Sequence, residues 1–159
     1  LLEKPNNRFT ETAASQASTY EYEQRNFGLA TEYYLRLEQT ATYPENKLKA
    51  EIGLMRCYTF ENQLDAASAY ARKVIKDPLV LDNAKTEGHF VIGKAELAEG
   101  NYDLALTEFN IVIDNTVSMI GAESNYNIAY IYNLKEEYKK SEDEVRKMMK
   151  KFTGRVHFK

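Results

Sequence analysis

The chain has a single cysteine, Cys57, so no internal disulfide can form. A lone thiol does not fix the compartment, because many secreted proteins also lack disulfides. Only two histidines are present, His89 and His157, and they stand far apart. With one cysteine they offer no ligand spacing for zinc. No run approaches the ~20 apolar residues of a membrane span. Three prolines and seven glycines suit helices better than a many-stranded sheet with its turns. Tryptophan is absent, whereas tyrosine and phenylalanine number 12 and 7. No Gly-rich phosphate loop or calcium-loop spacing occurs. Cys57 sits inside a helical pattern with no base indicated beside it, so it reads as a small buried hydrophobe. The chain is therefore expected to be no enzyme, with no catalytic residue, cofactor or metal.

Charge is small in total, −3, but uneven. Residues 135–159 hold nine Lys/Arg and five Asp/Glu, a net of +4. Residues 1–134 hold the other 12 basic and 19 acidic groups, a net of −7. The basic end reads as a solvated helix with lysines favourably placed near its C-terminus. Its remote alternative is a nucleic-acid contact through Lys139, Lys147, Lys150 and Lys151. The interleaved acids and the lack of a stacking platform argue against that, and no nucleic-acid partner is expected.

Four segments repeat one pattern. Each opens on a bulky residue: Phe27, Leu64, Tyr102 and Tyr138. Three residues on stands a small one: Ala30, Ala67, Ala105 and Ser141. Four further come Tyr34, Ala71, Phe109 and Val145, and then Leu37, Val74, Val112 and Met148. Offsets of three and four place these on one helix face. The small residues are spaced 37, 38 and 36 apart. Upstream of each lies another helical pattern, over about Glu11 to Gln24, Leu48 to Phe60, Lys85 to Glu99 and Ala122 to Leu134. Breaks with turn chemistry separate the pairs, at Tyr43-Pro44-Glu45-Asn46, Asp77-Pro78 with Leu79 to Asn83, Asn115-Thr116 and Thr153-Gly154. One helix pair cannot bury its apolar face alone, so the pairs must stack.

This pattern resembles the tetratricopeptide repeat (TPR) family, in which a large residue, Leu-Gly, Tyr, Ala, a bulky residue and Pro recur over about 34 residues. The third repeat carries the likeness best, with Ile92-Gly93, Gly100-Asn101-Tyr102, Ala105 and Phe109. His89 and Asn125 stand where the family favours Trp. The long periods resemble the extended units of bacterial envelope proteins, such as the lipoprotein of the outer-membrane assembly machine. The resemblance implies an all-α right-handed superhelix of about four helix-turn-helix repeats. One solenoid domain spans 1–159, with repeats at approximately 11–47, 48–85, 86–121 and 122–155. Both ends read as cut from a longer array. Pro5-Asn6-Asn7 repeats the Pro44-Glu45-Asn46 theme, and weak self-association through Leu1, Leu2, Phe152 or Phe158 is expected.

By the same resemblance, the first helix of each pair lines a concave face. The expected partner-binding groove is Tyr22, Lys49, Ile52, Arg56, Phe60, Phe90, Lys94, Tyr126 and Tyr130. Aromatic and arginine side chains are the usual anchors of interfaces. The cation-and-amide set that grips a chaperone's C-terminal carboxylate is not matched, since its positions read Ser15, Thr19, Gly53 and Lys94. The implied function is a scaffold or adaptor holding a protein or peptide. The alternative is a component of a bacterial envelope assembly or cell-wall-associated system. The location is periplasmic or envelope-associated on the second reading and open to the cytoplasm on the first.

Overall fold

The structure, a computed structural model, describes residues 8–153, and side chains as far as residue 151. Leu1, Leu2, the Pro5-Asn6-Asn7 motif, Phe158 and the side chain of Phe152 lie outside the described residues. Eight α-helices follow one another: α1 (Arg8–Glu23), α2 (Phe27–Thr40), α3 (Pro44–Phe60), α4 (Leu64–Lys76), α5 (Asp82–Glu99), α6 (Tyr102–Asn115), α7 (Met119–Leu134) and α8 (Tyr138–Thr153). No strand occurs among the described residues, so the fold is all-α.

Four of the seven connections are built alike. Arg25, Asn62, Gly100 and Glu136 each take a positive φ, of 62°, 58°, 80° and 58°. They recur at 37, 38 and 36 residues, the same intervals as the small residues. Each turn closes with the same long backbone bond. Asn26 N–H donates to Glu21 O (2.9 Å), Gln63 to Tyr58 O (2.8 Å), Asn101 to Glu96 O (2.8 Å) and Glu137 to Tyr132 O (2.8 Å). The left-handed residue satisfies carbonyls that the helix end leaves open and reverses the chain in three residues. Only Gly100 adopts that conformation without steric cost.

The second helices begin at Phe27, Leu64, Tyr102 and Tyr138, the four bulky residues that open the repeated pattern. The first helices begin earlier than the pattern suggested, at Arg8, Pro44, Asp82 and Met119. In α3 the reason is Pro44 itself. Proline at the first helical position loses only an N–H that has no partner there, and its fixed φ suits the helix. The expected break at Tyr43-Pro44-Glu45-Asn46 is thus a helix start.

Glu11 secures that start from a distance. Its carboxylate is buried in α1 and accepts from Thr42 N (2.7 Å), Thr42 Oγ1 (2.6 Å), Tyr43 N (3.3 Å) and Asn46 Nδ2 (2.9 Å). Burial works to raise its pKa, but these hydrogen bonds from Thr42, Asn46 and the backbone prevail and hold it at about 2. A carboxylate beside the first turn of α3 also matches the positive end of the helix dipole.

The helices form two compact units, Leu1–Val91 and Ile92–Lys159. In the first, α1 packs on α2, α2 on α3, α3 on α4, and α1 also on α3. Its core includes Ala30, Tyr34, Leu37, Ala50, Leu54 and Cys57, all buried. Gly53 lies flat against the Tyr34 ring, where any Cβ would collide with it. In the second unit, α6 packs on α7 and α7 on α8. Phe109, Val112, Ile128 and Ile131 are buried there, each contributing roughly 1.5–3 kcal/mol. The small positions Ala30, Ala67 and Ala105 are fully buried, so their helices approach closely. Ser141 takes the same place in α8, and its hydroxyl donates to Ala129 O at 2.8 Å.

Candidate functional site

In the first unit, α1 and α3 present neighbouring faces to an open recess of about 460 Å³. Its lining includes Tyr22, Lys49, Ile52 and Arg56, four of the residues expected in a groove. Their spacing puts Lys49, Ile52 and Arg56 on one stripe of α3, at offsets of three and four. Apolar surface comes from Leu48, Ile52, Leu79, Leu81 and Ala84. Tyr34 supplies a buried floor beside Gly53, its hydroxyl 3.5 Å from Thr19 Oγ1. Burial raises the pKa of both Tyr34 and Tyr22, so both stay neutral donors across the ordinary pH range.

Leu79 and Leu81 were not foreseen. They lie in the α4–α5 connection and are 52% and 73% exposed. The apolar run Leu79-Val80-Leu81 directly after Pro78, in a turn segment outside any helical stripe, was the available signal.

The charged members divide into engaged and open. Arg56 reaches across to α5 and makes two bonds with Glu87, Nε to Oε1 at 2.8 Å and a terminal nitrogen to Oε2 at 2.7 Å. Those hydrogen bonds, stronger here than the opposing effect of burial, raise the Arg56 pKa. This paired fork is an internal brace, the strong kind of charge-assisted contact. Lys49 is exposed and has no ion pair among the described residues. Phe60 is 54% exposed and belongs to an aromatic cluster. It stacks on Phe27 at 4.7 Å, Tyr22 meets both rings edge-on, and Arg25 lies over both Phe27 and Phe60 at 5.5 and 5.6 Å.

Phe90 departs from its expected place on the groove. It is only 6% exposed, and Val91 and Ile92, which follow it round the helix, are 2% and 1% exposed. At this level α5 is covered on successive sides, so Phe90 is a core residue.

In the second unit, Lys94 of α5 pairs with Glu123 of α7 at 3.4 Å. One and two turns beyond Glu123 stand Tyr126 and Tyr130, stacked at 6.4 Å and 61% and 45% exposed. These three expected groove residues therefore share one face with Glu123. The Lys94–Glu123 pair occupies the same register as Arg56–Glu87, displaced by 38 and 36 residues.

Three of the six cations of the basic C-terminal helix are held in ion pairs. Lys140 pairs with Glu137, Arg146 with Glu142 at 2.6 Å and Lys147 with Glu144 at 2.6 Å. Cys57 is buried, and burial pushes its thiol pKa up, away from the reactive thiolate. Among the described residues no group of three or more His, Cys, Asp or Glu is placed to hold a metal ion. None of the helices described is long and apolar enough to cross a membrane. No protein-family model matches the chain, and no curated protein is significantly similar to it.

Proposed function

We propose that this chain is a tetratricopeptide-like helical repeat protein that binds another protein by holding a peptide segment in the recess of its first unit. The observation that carries this reading is the convergence of Tyr22, Lys49, Ile52 and Arg56 on that one recess. Its size lies within the roughly 300–1,000 Å³ of ligand-binding clefts, and its walls mix apolar surface with polar and charged side chains, Glu23, Glu45 and Asn83 among them. An apolar side chain of the partner seats against Leu48, Ile52, Leu79 and Leu81. Lys49 meets a carboxylate or carbonyl of the same segment. Arg56, already engaged by Glu87, shapes the wall and does not grip the ligand.

A photo-crosslinking amino acid at Leu81, on the recess rim, tests this in the native host. A protein adduct is expected there, lost when Ile52→Glu is added and absent with the crosslinker at Asp65 on α4. Circular dichroism checks that Ile52→Glu keeps its helices. An adduct indifferent to Ile52→Glu, or equally strong at Asp65, overturns the assignment.

A further inference from the structure

Helices α1 and α3 lie side by side, parallel and in register. At one end Arg8 pairs with Glu45 at 3.5 Å, and at the other Tyr22 meets the ring of Phe60 at 6.0 Å. Those partners stand 37 and 38 residues apart, matching the 37 between the left-handed turns at Arg25 and Asn62. Glu23 of α1 is therefore level with Phe60, and Lys49 lies 11 residues lower on α3. At about 1.5 Å per residue the two charges stand about 16 Å apart along the axes. Ile52 is only three residues above Lys49, about 4.5 Å.

Both charges line the recess, and both are open. Neither the Glu23 carboxylate nor the Lys49 ammonium makes a hydrogen bond or ion pair among the described residues. The other charges on the recess are already engaged: Glu45 faces Arg8, and Arg56 holds Glu87 at 2.7 Å. The recess is thus bipolar, with an open anion at one end, an open cation at the other, and Ile52 nearer the cation. Its volume of about 460 Å³ over about 16 Å gives a cross-section of about 30 Å². A helix is about 10–12 Å across, so an extended chain fits and a helix does not.

We infer that the occupant of the recess is an extended segment with an acidic side chain at Lys49, an apolar side chain on Ile52 and a basic side chain at Glu23. This rests on the peptide-binding reading of the recess and gives that peptide its charges and their order. An extended chain advances about 3.3 Å per residue, so the acid and the base stand about five residues apart. The apolar residue falls one or two places from the acid, on the side of the base. Either chain direction satisfies this order. Exposed ion pairs add little affinity, so the two charges act by fixing the register and rejecting segments of reversed charge.

Panning displayed random dodecapeptides on the immobilised 159-residue chain tests it. The enriched sequences are expected to carry the acid, the apolar residue beside it and the more distant base. Glu23→Gln or Lys49→Gln should weaken a synthetic peptide of that sequence by about two- to fivefold, the effect of losing one exposed ion pair. Glu23→Lys combined with Lys49→Glu, both at exposed positions, should select the reversed order, with the base beside the apolar residue. Circular dichroism checks that helicity is kept, and the two glutamine variants carry the test if the reversed protein loses it. Enriched peptides that need Ile52 but ignore Glu23 and Lys49 overturn the charge order and leave the recess as the binding site. Peptides indifferent to Ile52→Glu, or no enrichment at all, overturn both readings.

Discussion

Gly93→Ala puts a number on how closely α5 and α6 approach within the second unit. A Cβ added at Gly93 falls 2.8 Å from Phe109 Cε1, 2.9 Å from Cδ1 and 3.1 Å from Cζ. Carbon pairs sit best at about 3.5–4.0 Å, so the ring must retreat by about 0.7 Å. Phe109 is fully buried and is the largest fully enclosed side chain among the described residues, so its retreat displaces neighbours. Overpacking of this kind costs on the order of 1–3 kcal/mol. Exchanging glycine for alanine inside a helix returns about 1 kcal/mol. The net expectation is a loss of about 1 kcal/mol, drawn from a range of about 0–2 kcal/mol.

Gly28 is the control, because a Cβ there meets nothing within 4 Å. Alanine at Gly28 gains propensity with no steric cost, so the two variants should differ by about 1–3 kcal/mol in opposite directions from the parent. Urea unfolding followed by circular dichroism measures both, with an unchanged denaturant slope showing that stability alone has moved. Trimming the ring with Phe109→Leu should then make Gly93→Ala cheaper, by about 1 kcal/mol in a double-mutant cycle. A Gly93→Ala protein as stable as Gly28→Ala, or one whose cost is untouched by Phe109→Leu, refutes the close approach.

Glu136→Gly relieves a left-handed residue and should raise stability by about 1 kcal/mol, while Gly100→Ala should lower it by a similar amount; thermal melts of the two, in opposite directions, check the shared turn. Glu11→Gln should destabilise the protein at neutral pH. The parent's advantage is full above about pH 4.5 and fades as pH falls towards about 2, where the folded carboxyl finally protonates. Glu51→Gln should do the reverse. Burial raises the Glu51 pKa, so its ionised form opposes folding; the variant is more stable at pH 7, and the gap closes below the ordinary carboxylate range. Unfolding curves from pH 2 to pH 7 for both variants distinguish the two signs.

The second helices were legible to the residue because a bulky side chain directly after a tight reversal is a local signal. The reversal itself was only partly legible. Gly100 advertises a positive φ, but Arg25, Asn62 and Glu136 fill the same backbone slot without any compositional mark. Pro44 misled in the other direction, since proline cannot continue a helix yet is well suited to start one, as it starts α3. Glu11 reads in sequence as a surface acid near a helix start. Its role depends on Thr42, Tyr43 and Asn46, some 31 to 35 residues away, and helical periodicity carries no such information. Phe90 had the right register and the wrong exposure, because periodicity gives direction round a helix and not what else covers it.

The charges at the expected groove positions show what a register needs before it becomes a site. Arg56 and Glu87, and then Lys94 and Glu123, stand at matching positions of successive first helices and pair with one another. A cation on one first helix followed by an acid on the next is therefore a rung of the array, available from sequence once the register is set. Lys49 occupies the position of Glu87 and Glu123, but the residue in the place of Arg56 one repeat earlier is Thr19. Threonine offers no charge, so the rung is missing and Lys49 is left open beside Ile52, Leu79 and Leu81. The place where the internal pairing lapses is also the place where apolar surface and an uncommitted cation meet. An acidic residue introduced there, Thr19→Glu, should recruit Lys49 into the missing rung and weaken any ligand that depends on it. Thr19→Arg should leave Lys49 free beside a second cation. A ligand at this recess that responds alike to both substitutions does not use Lys49.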